Sequence, residues 1–172
     1  MRRHIIKLGE PGDNVLHQPC ELIEDLASAA EVVDDLWDTL HGAQEMYNFS
    51  RGSGLAAPQI GELVQATVID FGGGEEYTLL NPELVIHSDE QVLVPEGCMS
   101  FFDKRGRALR SLEVTLHGVD LRGDEVVVES RGDPNRASLM EHEYGHLAGK
   151  LYLEVMPPGE ELYPKSDMPT FY

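Results

Sequence analysis

No stretch of the 172-residue sequence stays apolar for the roughly 18 residues that a membrane-spanning helix needs. The opening, MRRHIIKLGEPGD, has two arginines but no apolar run behind them. It also lacks the Arg/Ser-rich, acid-poor character of a transit peptide. The expectation is a cytoplasmic protein with no membrane partner. Basic residues are scarce: 13 Lys and Arg stand against 31 Asp and Glu, a formal net charge of −18. Such a surface repels phosphate backbones, so nucleic-acid binding is not expected. Lys104, Arg105, Arg107 and Arg110 crowd into seven positions and leave room for one local basic patch. The acids are spread along the chain, as on a solvated surface. Cysteine is limited to Cys20 and Cys98, which excludes a disulfide framework. There is no internal repeat and no low-complexity linker. With 41% hydrophobic residues the chain can bury a core, and residues 1–172 are read as a single domain.

Two segments carry helical patterning. Over 24–48, Val32, Val33, Leu36, Leu40, Ala43, Met46 and Tyr47 recur at helical spacing between polar residues. Trp37 joins that apolar stripe, and Ser28 either caps the helix or lies on its outer face. The second helix opens at Asp133-Pro134, an N-cap followed by proline at the first helical position. It runs to about Ala148, and Gly149 suits the left-handed cap. Between them lie β-type runs at 64–70, 77–87 (broken at Pro82), 91–97, 112–121 and 124–130, punctuated by turn residues. Gly72-Gly73-Gly74 and Arg122-Gly123-Asp124 read as turns. The small-sided stretch RGSGLAAPQIG (51–61) reads as a loop pressed against something, and the tail from Pro157 as irregular. Helix, strands, helix is an α+β order: antiparallel sheets around a second helix, with an N-terminal helix.

That second helix contains His142-Glu143-Tyr144-Gly145-His146. Histidines four apart share one helix face, so both rings can reach one metal ion. A Glu beside the first His can take a proton from water at the ion's open side. A catalytic site of this kind needs a third ligand. Downstream there is no His, and the only glutamates are Glu154, Glu160 and Glu161. Upstream stands Cys98, in Glu96-Gly97-Cys98-Met99-Ser100. Its thiolate would complete a soft Cys-His-His set suited to Fe(II), Zn, Ni or Co. Taken alone, a cysteine such as Cys98 is more often a small buried hydrophobe. His4, His41, His87 and His117 show no ligand spacing, and Cys20 reads as a structural thiol.

Three blocks in this order resemble the peptide deformylases. They are Gly52-Ser53-Gly54-Leu55-Ala56-Ala57-Pro58-Gln59, EGCMS at 96–100, and HEYGH at 142–146 with the LAGKLY that follows. The opening Gly12-Asp13-Asn14-Val15-Leu16 is similar to the family's start. The resemblance implies a metal-dependent hydrolase that removes the N-formyl group from the formyl-methionine of nascent peptides. It implies one divalent ion, Fe(II) in the family, held by Cys98, His142 and His146. Glu143 would be the general base. Gln59 and the backbone N–H of Met99 would stabilise the oxyanion. Substrate would be held at Ser53, Gly54, Leu55, Gly97, Arg105, Ser138 and Leu139, with the ribosome as a partner. An apolar methionine pocket would draw on Gly97, Met99, Ser138, Leu139 and the ring edge of His142. Glu96 and Arg110 would pair behind the metal strand, against the plain reading of a surface pair worth little.

The sequence departs from the family at several points. Gly145 replaces the Asp of HExDH, Glu141 a Gln, Ser53 an apolar residue, His17 an Arg and Asn14 a Pro, and Phe101-Phe102 replaces an aliphatic-Pro pair. These departures motivate an alternative, a specialised hydrolase of another N-formyl compound. A silent metal- or peptide-binding homologue and a zincin-type protease are the remaining readings.

Overall fold

The computed structural model describes residues 1–47, 49 and 52–165. Asn48 and Arg51, at the ends of two segments read above, lie outside the described residues, as does the tail beyond Lys165. The first helix is shorter than its periodicity predicts. Asp25 caps a 3-10 turn over Leu26–Ala29, and the α-helix proper, α1, covers Ala30–Met46. Ser28 is exposed and donates back to the Asp25 carbonyl. Strands follow as β1 (Ser53–Ala56), β2 (Ala66–Asp70), β3 (Glu76–Ile86), β4 (Gln91–Cys98), β5 (Phe101–Ser111), β6 (Val114–Val119) and β7 (Glu125–Glu129). Then come α2 (Pro134–Leu147) and a two-residue strand, β8 (Tyr163–Pro164).

Two antiparallel sheets result. One has the order β1-β2-β3-β6-β7 and the other β4-β5-β8. Side chains alternate along a strand, and the five-stranded sheet uses both faces. Val68 and Leu80 face α1 with Leu36, Leu40 and Leu55. Ile69 and Leu79 face α2 with Ala137 and Met140. The second helix also contacts β4 and β5, so it lies between the two sheets. Polar side chains on α2 therefore end up inside the molecule. His142, Glu143 and His146 are all buried.

Three segments correct the sequence reading. Ser53–Ala56 is a fully buried strand, not a loop. Its small side chains suit it because both faces are covered. Phe101–Ser111, the basic stretch, is an 11-residue strand. Its bases do not gather into one patch: Arg110 is buried against Glu96, and Arg107 turns to Glu160. The tail is not wholly irregular, because β8 pairs with Lys104 and Arg105 of β5. The break at Pro82 proves to be a bulge inside one strand. Asn81 takes a positive φ there, and its side-chain amide bonds both backbone groups of Ile23.

Candidate metal centre

Asp133 accepts a hydrogen bond from Asn135 N and starts α2, which carries His142 and His146 on one face. Strand β4 ends at Cys98 against that face. Glu96 and Cys98 are two apart on β4, so both point toward the helix. Cys98 Sγ lies 3.3 Å from His146 Nε2, and the two histidine Nε2 atoms lie 3.2 Å apart. The three ligand atoms all fall within 4.8 Å of one another. Bonds of about 2.0–2.1 Å to nitrogen and about 2.3 Å to sulfur place tetrahedral ligands roughly 3.3–3.5 Å apart. The observed separations match those edges, so the donor set fits a divalent ion.

The hydrogen bonding of His142 agrees with that fit. Its Nδ1 lies 2.9 Å from Glu96 Oε2. A carboxylate only accepts, so the proton is on Nδ1 and the Nε2 lone pair is free for a ligand bond. Glu96 is fixed in turn by Arg110 Nε at 2.5 Å, Arg110 Nη2 at 2.9 Å and Ser138 Oγ at 2.6 Å. Burial pushes the Glu96 carboxyl up, but Arg110 and His142 more than offset it and hold it at about 2. The pair is buried, not a surface pair: the Arg110 and Glu96 side chains are 6% and 5% exposed. Burial also pushes the Cys98 thiol up, yet His146 and His142 pull it well below the ordinary thiol range. His146 differs from its neighbour, because its buried Nδ1 has no hydrogen-bond partner among the described residues.

A cavity of about 220 Å³ opens beside this cluster. Cys98, His142, Glu143, Gln59 and Met99 line it, as do Ser53, Gly54, Gly97, Arg105, Ser138 and Leu139. Leu55 does not; its side chain is in the core against α1. Ser53 is tied off by Gln44 Nε2 at 2.9 Å. Gln59 is oriented at both ends of its amide. Its Oε1 accepts from Ala56 N at 2.9 Å, and its Nε2 reaches Ser100 Oγ at 3.2 Å and Cys98 Sγ at 3.6 Å. Glu143 is 2% exposed, and its Oε2 has no partner among the described residues. Burial pushes this carboxyl up to about 7. A Cβ added at Gly54 would lie 2.6 Å from Glu143 Oε1, so glycine there makes room for the carboxylate.

Comparison with known proteins agrees with this geometry. The family model described as polypeptide deformylase matches residues 3–161. The chain belongs to the peptide deformylase family. A peptide deformylase of Natranaerobius thermophilus is 34% identical over 151 residues, covering 87% of this chain and 91% of the relative. One from Thermomicrobium roseum is 39% identical over 132 residues, covering 72% and 69%. Among solved structures, the Legionella pneumophila peptide deformylase superposes with a TM-score of 0.77 at 29% identity, covering 92% of this chain and 88% of that one. The Thermotoga maritima structure gives 0.77 at 26% identity, covering 92% and 99%.

Sequence reasoning missed the orienting role of Glu96 and Ser138 toward His142. The signal was present, since Ser138 is one helical turn before His142 and Glu96 is two residues before Cys98. It also missed Ser100, Asn135 and Tyr152. Asn135 lines the cavity. The buried Tyr152 ring stacks on His142 at 6.0 Å, and its hydroxyl has no partner among the described residues.

Proposed function

We propose that this member of the family hydrolyses the N-formyl group of formyl-methionyl nascent peptides, releasing formate, as one catalytic domain in the cytoplasm. Cys98, His142 and His146 would hold one divalent ion, Fe(II) by family resemblance. When bound, such an ion polarises the formyl carbonyl and lowers the pKa of water. The chain's own groups do the rest. Glu143 takes the proton from the attacking water. As the C–N bond breaks it returns that proton to the amine, leaving formate and a free N-terminus. A carboxyl that burial has moved to about 7 can do both near neutral pH, and a nearby cation favours its ionised form. Gln59 Nε2 and the Met99 N–H donate to the oxygen where negative charge develops. The peptide extends along Ser53 and Gly54 of β1, as an added strand would. Its methionine side chain lies among Gly97, Ser138 and Leu139, with Arg105 at the outer end. Ribosome association follows from the substrate and draws no support from a net charge of −18.

The observation that carries this reading is the convergence of Cys98, His142 and His146 beside a cavity walled by Glu143 and Gln59. Nothing in the site favours the specialised-substrate alternative over it. The test is formate release from a formyl-Met peptide by Fe(II)-loaded protein. Release that stops on chelation and returns with metal is expected. Metal-loaded protein that releases no formate overturns the reading.

A further inference from the structure

The cavity's outer rim holds an arrangement that hydrolysis at the metal does not use. Strand β8 pairs with β5 beside Arg105, a cavity-lining residue, and Lys165 N donates to the Asp103 carbonyl at 3.0 Å. The Lys165 ammonium then sits 3.6 Å from the ring centre of Phe102, a cavity-lining residue, and 4.9 Å from that of Tyr47. Arg105 approaches the same Phe102 ring at 5.7 Å. Its guanidinium lies against the Cα of Gly97 and, among the described residues, donates to the carbonyls of Phe102 and Lys104. Among the described residues, neither cation forms an ion pair with a carboxylate. In a chain with 31 acids and 13 bases, two unpaired cations on one ring at a cavity mouth are conspicuous. Burial and Arg105 both push Lys165 down, and Asp103 counters them only in part. A bound anion would relieve that repulsion.

Resting on the deformylase reading, we infer that Arg105, Lys165 and Phe102 form a subsite for a carboxylate carried by the substrate downstream of its formylated methionine. The residues next to the metal read the formyl group and the methionine. The rim reads charge further along. Its sign is opposite to that of the whole molecule: a net charge of −18 draws cationic peptides, whereas the rim selects anionic ones.

The probes are three C-terminally amidated peptides: formyl-Met-Ala-Glu, formyl-Met-Ala-Ala and formyl-Met-Ala-Lys. Each is titrated by calorimetry into metal-loaded Glu143→Gln protein, so that binding is read without turnover. At low salt the Glu peptide should bind about five- to tenfold more tightly than the Lys peptide, with Ala between, and the spread should narrow at high salt. Lys165→Met should shrink the spread and Lys165→Glu reverse its order. Equal affinities, or the Lys peptide binding tightest, overturn the inference. So does an order that Lys165→Met leaves intact. Formate release from the neutral peptide by wild type is scored separately. Its absence alongside charge-ranked binding would sink the catalytic reading and leave the rim standing.

Discussion

Each of two walls of the cavity has one buried glutamate packed at it beside the metal cluster, and the two are treated in opposite ways. On the β4 wall, Glu96 accepts from Arg110, Ser138 and His142 and is held at about 2. Against the β1 wall, Glu143 packs on Gly54, leaves Oε2 without a partner among the described residues, and is pushed up to about 7. Burial is nearly the same, at 7% and 2% exposed. The difference is hydrogen-bond supply. A carboxylate with its lone pairs engaged is a structural anion that orients a ligand. One left unengaged in a dry site stands ready to move a proton.

The strongest test of that division removes the proton carrier. Glu143→Gln should cut formate release by about 10²–10⁴-fold while metal content stays unchanged. The same variant should be the more stable protein. In the metal-free protein the Glu143 carboxyl has a folded value of about 7, above its ordinary 4.5, so the folded state holds the proton longer than the unfolded one. Wild type therefore loses stability as pH rises from 4.5 to 7, and the loss is complete above 7. Melting curves of the two proteins should coincide near pH 4.5. They should separate by about 3 kcal/mol above pH 7, with wild type the weaker. Wild type the more stable of the two above pH 4.5 would place Glu143 in the same class as Glu96.

Glu96→Gln attacks the other wall, and its signature is loss of stability. Arg110, buried, loses its bidentate carboxylate and keeps only the longer contact to Glu141 at 3.7 Å, so the cost should approach the roughly 3–5 kcal/mol of a broken buried pair. His142 loses its charged acceptor, and metal affinity should fall about 10–100-fold. Because the folded value of about 2 lies below the ordinary 4.5, the wild-type advantage is full above pH 4.5. It fades as pH falls toward 2. Denaturant titrations at pH 7 and pH 3 check this: a deficit as large at pH 3 as at pH 7 would show that the fold does not hold the Glu96 carboxyl below its ordinary range.

Chemistry was far more legible in the sequence than surroundings. His142 and His146 read clearly because i, i+4 spacing fixes a shared face whatever packs against it. Cys98 could not be joined to them by spacing, since His142 lies 44 positions and three strands further along. The lack of a downstream His put it forward as the third ligand, and likeness to a family made it the choice. Strand β1 was misread because small residues signal a loop, whereas here they permit close approach of Glu143. Strand β5 was hidden by its charges, because one arginine is buried by a pair and another is stacked at a cavity mouth. In each miss, a tertiary partner overrode the local signal.

Two glycines mark the same contrast on a smaller scale. At Gly54 an added methyl has no room, since it would meet the Glu143 carboxylate at 2.6 Å. Gly54→Ala should displace that carboxylate, reduce turnover by about a hundredfold and cost about 1–3 kcal/mol. Steady-state kinetics and thermal melts would show whether kcat falls more than stability explains.

Gly145 is the opposite case. It lies inside α2, and an added Cβ would meet only the Lys150 carbonyl, at an ordinary 3.4 Å. Its φ is not positive, so a side chain is tolerated there. Glycine in a helix interior gives up about 1 kcal/mol relative to alanine, mainly through the freedom of the unfolded chain. Gly145→Ala should therefore raise stability by about 0.4–1 kcal/mol and leave the His142–His146 spacing intact. A thermal melt of metal-free protein reads the first, and metal titration reads the second. A loss of stability would mean that the backbone at 145 needs its freedom, so that this glycine, like Gly54, is part of the site.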